Sequence, residues 1–452
     1  MSDIQDNPLL IVEEAVDQGV RSSLNSIFSN RNYVVFLITG WMFNCYNHLG
    51  SYLNLYLKVM GWSLITIGLV LSIVNAFSSI ARLIGGYVGD IANRKGVAVA
   101  AYLILGIYYV YVGIFVDFWL IFIGLMIYSV HDLFRSGSSS YIMENVPRDH
   151  SGFALSLFTA GRVFSVAGLL VFGFLEPILG FPVAFRFMYF ITGLSLILAS
   201  AIRAVLLESP KREYKSSDKP ILSEFMSENI RAAKLLLVAI PGLIFIVILD
   251  TLSDSFFGFA ALIYTYEELS VDIAGINLIL LAQLAISFPL LLKIGRVSDR
   301  KGVKRAAVVV YSIMPVSAAF LLIAPIVPYI VPSSVVSSVD SVLPGLGIIF
   351  STPFIGIVMK YVNDSLWWTL IIILIRKRLP KTDTSKILSI FWVTVYVLSS
   401  IGPIIASLIY TFMTPPILFL TIILLNLIIL IAIGKGPFGN GPKDSEAMEI
   451  LE

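Results

Sequence analysis

The sequence predicts an all-α membrane protein, with twelve transmembrane helices arranged as two pseudo-symmetric six-helix bundles. Three observations predict it. Of the 452 residues, 58% are hydrophobic and only 13% charged, against about 25% charged in a typical soluble chain. The apolar residues gather into stretches near the roughly 20 residues that cross a hydrocarbon core. The loops after the second and eighth stretches also repeat one pattern of glycine, aspartate and basic residues. The charge deficit alone excludes a soluble enzyme, a nucleic-acid binder and a disordered scaffold, because the solvent of such a chain is mostly lipid.

The predicted spans fall at 33–57, 64–89, 97–116, 118–141, 152–176 and 184–206, then at 236–263, 272–294, 304–326, 351–375, 387–410 and 416–434. They divide the chain into an N-terminal segment 1–32, a first bundle 33–206, a linker 207–235, a second bundle 236–434 and a tail 435–452. The 327–350 stretch mixes proline and serine with apolar residues and reads both as loop and as part of a span. The N-terminal segment is acidic and polar, without the basic start and apolar core of a cleavable signal peptide. Cys45 is the single cysteine, so one chain has no disulfide framework and no cysteine-based metal site.

Lys and Arg accumulate on the cytoplasmic side of membrane proteins. With the N-terminus inside, 25 of the 31 basic residues fall in cytoplasmic segments or at their edges. Lys58 and Arg186 lie at the outer side, and Arg82, Arg135, Arg162 and Lys360 lie within spans. Both termini are therefore expected in the cytoplasm, with the protein in the cell membrane.

The halves repeat. After span 2 come Gly86, Gly89, Asp90, Arg94 and Lys95; after span 8 come Gly295, Asp299, Arg300, Gly302, Lys304 and Arg305. The two aspartates stand 209 positions apart. A second pair of related loops, at Pro147 and Pro380, is offset by 233, and the 24 extra residues fit an insertion at 327–350. Two parallel six-helix halves are the layout of rocker-type secondary transporters.

On these residues the sequence resembles the major facilitator superfamily, whose loop signature is approximately G-x-x-x-D-[RK]-x-G-[RK]-[RK]. The second copy fits through Asp299, Arg300, Lys304 and Arg305, with Gly302 in the glycine position. The first fits at Gly86, Asp90, Arg94 and Lys95 but has Ile91 and Asn93 where arginine and glycine are usual. The resemblance covers spans 1 to 12. It implies a cytoplasmic latch built on these loops, with Glu144 as its acidic partner in the first half and Lys377 at the equivalent position in the second. It also implies a central cavity lined by spans 1, 4, 7 and 10. Read without the family, the same residues are turn glycines and topology-setting charges.

A charge at mid-bilayer costs about 2.5–3.5 kcal/mol on insertion scales, so it must face a partner or water. Span 4 carries His131, Asp132 and Arg135 on one face, with Arg135 projecting between the other two. Arg162 sits in span 5; Asp250 and Asp254 stack four apart in span 7; Lys360 and Asp364 do so in span 10. Span 1 adds a polar stripe of Asn44, Asn47, His48 and Ser51. The first half is thus basic inside and the second acidic. Three readings stay open: the charges pair across a cavity, they bind opposite ends of a polar or zwitterionic solute, or some aspartates are protonated because burial disfavours the charged form. The third makes Asp250 and Asp254 candidates for proton coupling. The plainest alternative treats Lys360–Asp364 and Asp132–Arg135 as intrahelical pairs serving fold and insertion only.

The expected function is secondary active transport of a polar or charged small organic solute by alternating access, coupled to protons or another ion. A drug–proton antiporter and a solute sensor on a transporter fold are the alternatives. The first lacks its glycine-proline signature in span 5, where 160–168 contains no proline. No catalytic constellation marks an enzyme, and no G-x-x-x-x-G-K-[ST] loop marks a nucleotide-driven pump. The expected partners are the substrate, a coupling ion and the lipid bilayer, with no nucleic acid, metal or cofactor; the chain is expected to act as a monomer.

Overall fold

The computed structural model describes residues 28–91, 93–145, 158, 161–208, 230, 234, 242–378 and 384–435. Within these, the side chains of 86–91, 136–145, 292, 295–296, 299–301, 376–378 and 384–390 lie outside the description. Most of the segments expected at 1–32, 207–235 and 435–452 therefore also lie outside it.

Among the described residues, eleven helices are long and apolar enough to cross a membrane. They are Leu64–Ile91, Arg94–Ile114, Phe118–Asn145, Gly161–Leu179, Phe181–Leu206, Leu243–Glu267, Ile273–Lys301, Val303–Ile323, Thr352–Arg378, Phe391–Met413 and Pro415–Lys435. They match expected spans 2 to 12. Helices dominate because lipid offers no hydrogen bonds, so each span must satisfy its own backbone. We call the ends joined through 92–93, 302 and 379–383 the basic end, and the opposite ends the far side.

Span 1 is a correction. The apolar run 33–57 predicts one helix, but the chain forms Arg31–Asn44, a 3-10 segment Asn47–Tyr52 and a short helix Leu53–Val59. The break is served by span 5. The Ser165 hydroxyl donates to the Asn44 carbonyl at 2.7 Å, and Gly168 lies so close to the Cys45 carbonyl that a side chain there would collide with it. A freed backbone acceptor thus finds a neighbouring helix rather than lipid. Asn44, Asn47, His48 and Ser51 therefore do not form one α-helical stripe: Asn44 is buried, His48 and Ser51 are half-buried and Asn47 is exposed.

Span 11 is interrupted in the same manner. Its helix ends at Ser399 and resumes at Gly402, with Pro403 in the first turn. Span 2 takes up the orphaned groups: Asn75 Nδ2 donates to the Ser399 carbonyl at 3.1 Å, and the Ile404 N–H donates to Ser72 Oγ at 3.1 Å. The 327–350 stretch does not cross the membrane. It contains a ten-residue helix, Ser333–Val342, and a 3-10 turn, Leu346–Phe350, on the far side.

Spans 3 and 6, 2 and 4, and 3 and 4 pack the first bundle; spans 8, 9 and 12 close around span 10 and span 7 in the second. The first bundle also buries a charge that the sequence places at a span edge. Arg203 is wholly inaccessible, donates to Thr39 Oγ1 at 2.8 Å and to the Ala98 carbonyl at 3.1 Å, and stacks on Tyr102 and Phe36. It ties spans 1, 3 and 6 together.

The bundles meet through spans 2 and 11, 5 and 8, and 1 and 7. Asn54 Nδ2 donates to the Gly258 carbonyl at 3.2 Å, and Lys58 pairs with Glu267 at 3.4 Å. Tyr52 donates to Asn277 Oδ1 at 3.0 Å, and the Asn277 amide donates onward to the Leu169 carbonyl at 2.9 Å. Among the described residues, every hydrogen bond and ion pair between the bundles lies from mid-depth toward the far side.

Candidate functional site

The acidic cluster forms where spans 7 and 10 face each other. Lys360 is 1% exposed and its ammonium binds Asp254 at 2.6 Å and also Asp364, one turn along its own helix. The two carboxylates keep 24% and 22% of their side-chain surface, so the cation is sealed while its partners can be reached. Phe257 places its ring 5.4 Å from the ammonium. The i,i+4 spacing brings Lys360 and Asp364 together; the pairing with Asp254 needs the fold.

Asp250 does not share this arrangement, although it stacks with Asp254 by sequence. It is wholly buried and accepts from Tyr311 Oη at 2.8 Å and Trp367 Nε1 at 2.7 Å. The Asn426 side chain lies 3.1 Å from the same hydroxyl and 2.8 Å from Ser253 Oγ. Tyr311 has one proton to give, so it serves Asp250 and receives from the Asn426 amide once that group presents its NH2. Spans 7, 9, 10 and 12 thus converge on Asp250.

In the first bundle, Arg82 rather than Arg135 is the close partner of Asp132. Arg82 Nη2 stands 2.9 Å from Asp132 Oδ1, whereas Arg135 Nη1 is 3.9 Å away and His131 Nδ1 4.0 Å. Arg135 keeps the direction that helical projection gives it, 3.9 Å from Asp132, but its side chain is 56% exposed while that of Asp132 is inaccessible, so the close contact falls to Arg82. Helical projection gives a direction for a long side chain, but a planar guanidinium from a neighbouring helix fills the position. Arg162 is exposed and lies within electrostatic range of Arg135 and of His48. Among the described residues, no carboxylate stands within ion-pair distance of Arg162.

Arg82 also crosses to the other bundle, with its guanidinium carbon 3.2 Å from the Tyr396 ring centre. Tyr396 stacks on Trp392 at 5.9 Å, and Trp392 in turn on Trp368 at 5.3 Å. The two charged sets, by contrast, do not meet: among the described residues no ion pair joins Arg82, Arg135 or Arg162 to Asp250, Asp254 or Asp364. Each set is paired only within its own bundle, with arginine in excess in the first and aspartate in excess in the second.

Sequence reasoning missed Tyr311, Trp367 and Asn426, which hold Asp250, and also Asn363. Asn363 is 1% exposed beside Asp364, and neither end of its amide has a hydrogen-bond partner among the described residues. A lone tyrosine or asparagine in an apolar span gives no periodic signal; only the packing collects them. In the loop motif, Arg94 and Lys95 open span 3 behind an Asn93 cap that accepts from the Lys95 N–H at 3.0 Å, and Arg305 is exposed at the start of span 9. Asn93 is thus a helix cap at a position where the family pattern has glycine. Gly86, Asp90 and Glu144, and likewise Gly295, Asp299 and Arg300, lie in helices whose side chains there are outside the description.

Comparison with solved structures gives the same architecture. The nucleoside transporter NupG matches with a TM-score of 0.63 at 12% identity, covering 89% of this chain and 98% of that one. A POT family transporter in complex with 5-aminolevulinic acid matches with a TM-score of 0.63 at 12% identity, covering 89% and 96%. A bacterial homologue of the human lysosomal transporter Spinster, in an inward-facing and unoccupied conformation, matches with a TM-score of 0.58 at 13% identity, covering 90% and 94%. No curated relative matches in sequence. The sequence profile described as Major Facilitator Superfamily matches residues 35–366, and with most of the chain inside that match and the fold in agreement, the protein belongs to the Major Facilitator Superfamily.

Proposed function

We propose that the protein is a secondary active transporter that moves a polar or charged small organic solute by alternating access, coupled to protons. The segregation of charge carries this reading. Arg135 and Arg162 present positive charge on one bundle, while Asp254 and Asp364 share a single lysine on the other. A solute between them meets opposite fields at its two ends, and no internal ion pair has to be broken first. His48, His131, Asn44 and Asn47 supply the neutral polar contacts of the first bundle. The surplus carboxylate of the acidic cluster is the proton carrier; Asp254 is its solvent-reachable member, and Asp250 its buried neighbour.

The bundles are closed against each other on the far side, so the arrangement is one end-state of the cycle. Following the distribution of Lys and Arg, we place the basic end and both termini in the cytoplasm; the cell membrane is the proposed location and a monomer the proposed unit. The loops at Asp90 and Asp299 then latch the opposite end-state.

Reconstituted protein tests this. A thermal-shift screen at two pH values identifies a stabilising solute, and an imposed pH gradient should then drive its accumulation in proteoliposomes. Asp250→Asn and Asp254→Asn should each abolish that accumulation and leave counterflow exchange intact. Stabilisation without accumulation identifies a sensor; unchanged accumulation in both variants removes the coupling assignment.

A further inference from the structure

A second site lies away from the charged centre. Near the basic end, spans 8, 9 and 12 leave an open groove of about 720 Å³ on the flank of the second bundle. Its walls are apolar, formed by Ile294, Val297, Val308 and Val309 with Gly434 at one edge, and its rim carries Lys304 and Arg305. Two further lysines follow this pattern: exposed Lys293 precedes Ile294, and exposed Lys435 follows Gly434. No described lining residue is acidic.

Three features define the occupant. The walls belong to membrane-spanning helices and Val309 is 67% exposed, so the groove opens where lipid is the solvent. Basic side chains end it at the interface, and the helix that bears them starts at Val303 without a side-chain cap, adding the positive end of its dipole. At Gly434 a side chain would meet nothing within 4 Å, so the groove stays open along span 12. Acyl chain against valine and isoleucine, with phosphate against Lys304 and Arg305, satisfies both parts. Basic pockets between membrane helices recognise acidic headgroups in this way.

We infer that this groove is a binding site for an anionic glycerophospholipid of the leaflet at the basic end. The site lies beside the Asp299 loop and outside the charged centre, and lipid retention is read without transport, so it stands whether or not that centre moves a substrate.

Native mass spectrometry of the full chain in detergent tests it, with phosphatidylglycerol and phosphatidylcholine added in equal amounts. Phosphatidylglycerol should be retained severalfold over phosphatidylcholine. The Lys304→Gln, Arg305→Gln double variant should bring the ratio near one, whereas Lys58→Gln on the far side should leave it unchanged. Gly434→Trp, which keeps every charge but fills the groove, should lower phosphatidylglycerol retention as well. Equal retention of the two lipids by the unaltered protein overturns the inference, as does a preference that survives both alterations of the groove. Loss of the phosphatidylglycerol adduct on adding millimolar inorganic phosphate with choline lipid still bound would mark a free-anion site, and overturns it too.

Discussion

One buried ammonium, that of Lys360, holds Asp254 from span 7 and Asp364 from its own helix at the same time. It is the only cation among the described residues within ion-pair distance of either carboxylate. Replacing it leaves two acids facing each other in a low-dielectric interior, and removing one partner of a buried ion pair costs about 3–5 kcal/mol. Lys360→Met should therefore lower the unfolding temperature sharply. Lys360→Met combined with Asp254→Asn and Asp364→Asn should recover most of the loss, because no unpaired charge remains; a triple variant no more stable than the single one would contradict this account.

Asp250 should respond differently from Asp254. It accepts from Tyr311 Oη, which can also accept, and from Trp367 Nε1, which can only donate. Asp250→Leu removes both acceptors and leaves the buried Trp367 N–H unsatisfied at about 1–3 kcal/mol. Thermal unfolding should fall for Asp250→Leu and stay closer to the parent for Asp254→Leu, whose carboxylate is partly exposed. Equal shifts would contradict the structural difference.

The cation–π contact between Arg82 and Tyr396 spans the two bundles. A desolvated contact of this kind is worth about 0.5–2 kcal/mol. Tyr396→Phe keeps the ring and should change little, while Tyr396→Leu should destabilise. A double-mutant cycle with Arg82→Gln measures the coupling separately from the Arg82–Asp132 pair; zero coupling would remove the contact from the account.

Closure of the far side can be locked. Lys58 and Glu267 pair across the bundles at 3.4 Å. Lys58→Cys with Glu267→Cys, in a Cys45→Ser background, should be bridged by a bifunctional methanethiosulfonate and stop solute exchange, with recovery on reduction. Exchange that persists in fully cross-linked protein would show that the far side does not need to open.

The latch proposed at the basic end has its own test. Asp299→Asn should increase labelling, from the basic side, of a cysteine introduced at Arg162. Identical labelling in both backgrounds would refute a latch role for Asp299.

Much of this architecture is legible in the sequence because lipid leaves few alternatives: apolar length gives the spans and repeated loops give the halves. The charged residues of spans 4, 7 and 10 are legible for the same reason, since each is costly unless it faces water or a partner. Their partners are not. Arg82 lies in another span from Asp132, and Lys360 reaches Asp254 across a helix interface, so pairing depends on packing that helical periodicity does not encode. Arg203 shows the reverse limit: its position near a span end reads as a topology signal, yet aromatic rings and a backbone carbonyl hold it in the core. The break in span 1 escapes periodicity because its stabilising groups, Ser165 and Gly168, stand more than a hundred residues away.

That break puts a joint inside one transmembrane element. The rod Arg31–Asn44 is packed on span 6, while Leu53–Val59 rests on spans 2 and 6 of the same bundle, with Tyr56 stacked on Phe185 at 4.4 Å, and reaches across to span 7 of the opposite one. The short helix can therefore release span 7 without leaving its own bundle, and the residues between Cys45 and Tyr52 let it tilt while the longer rod stays in place.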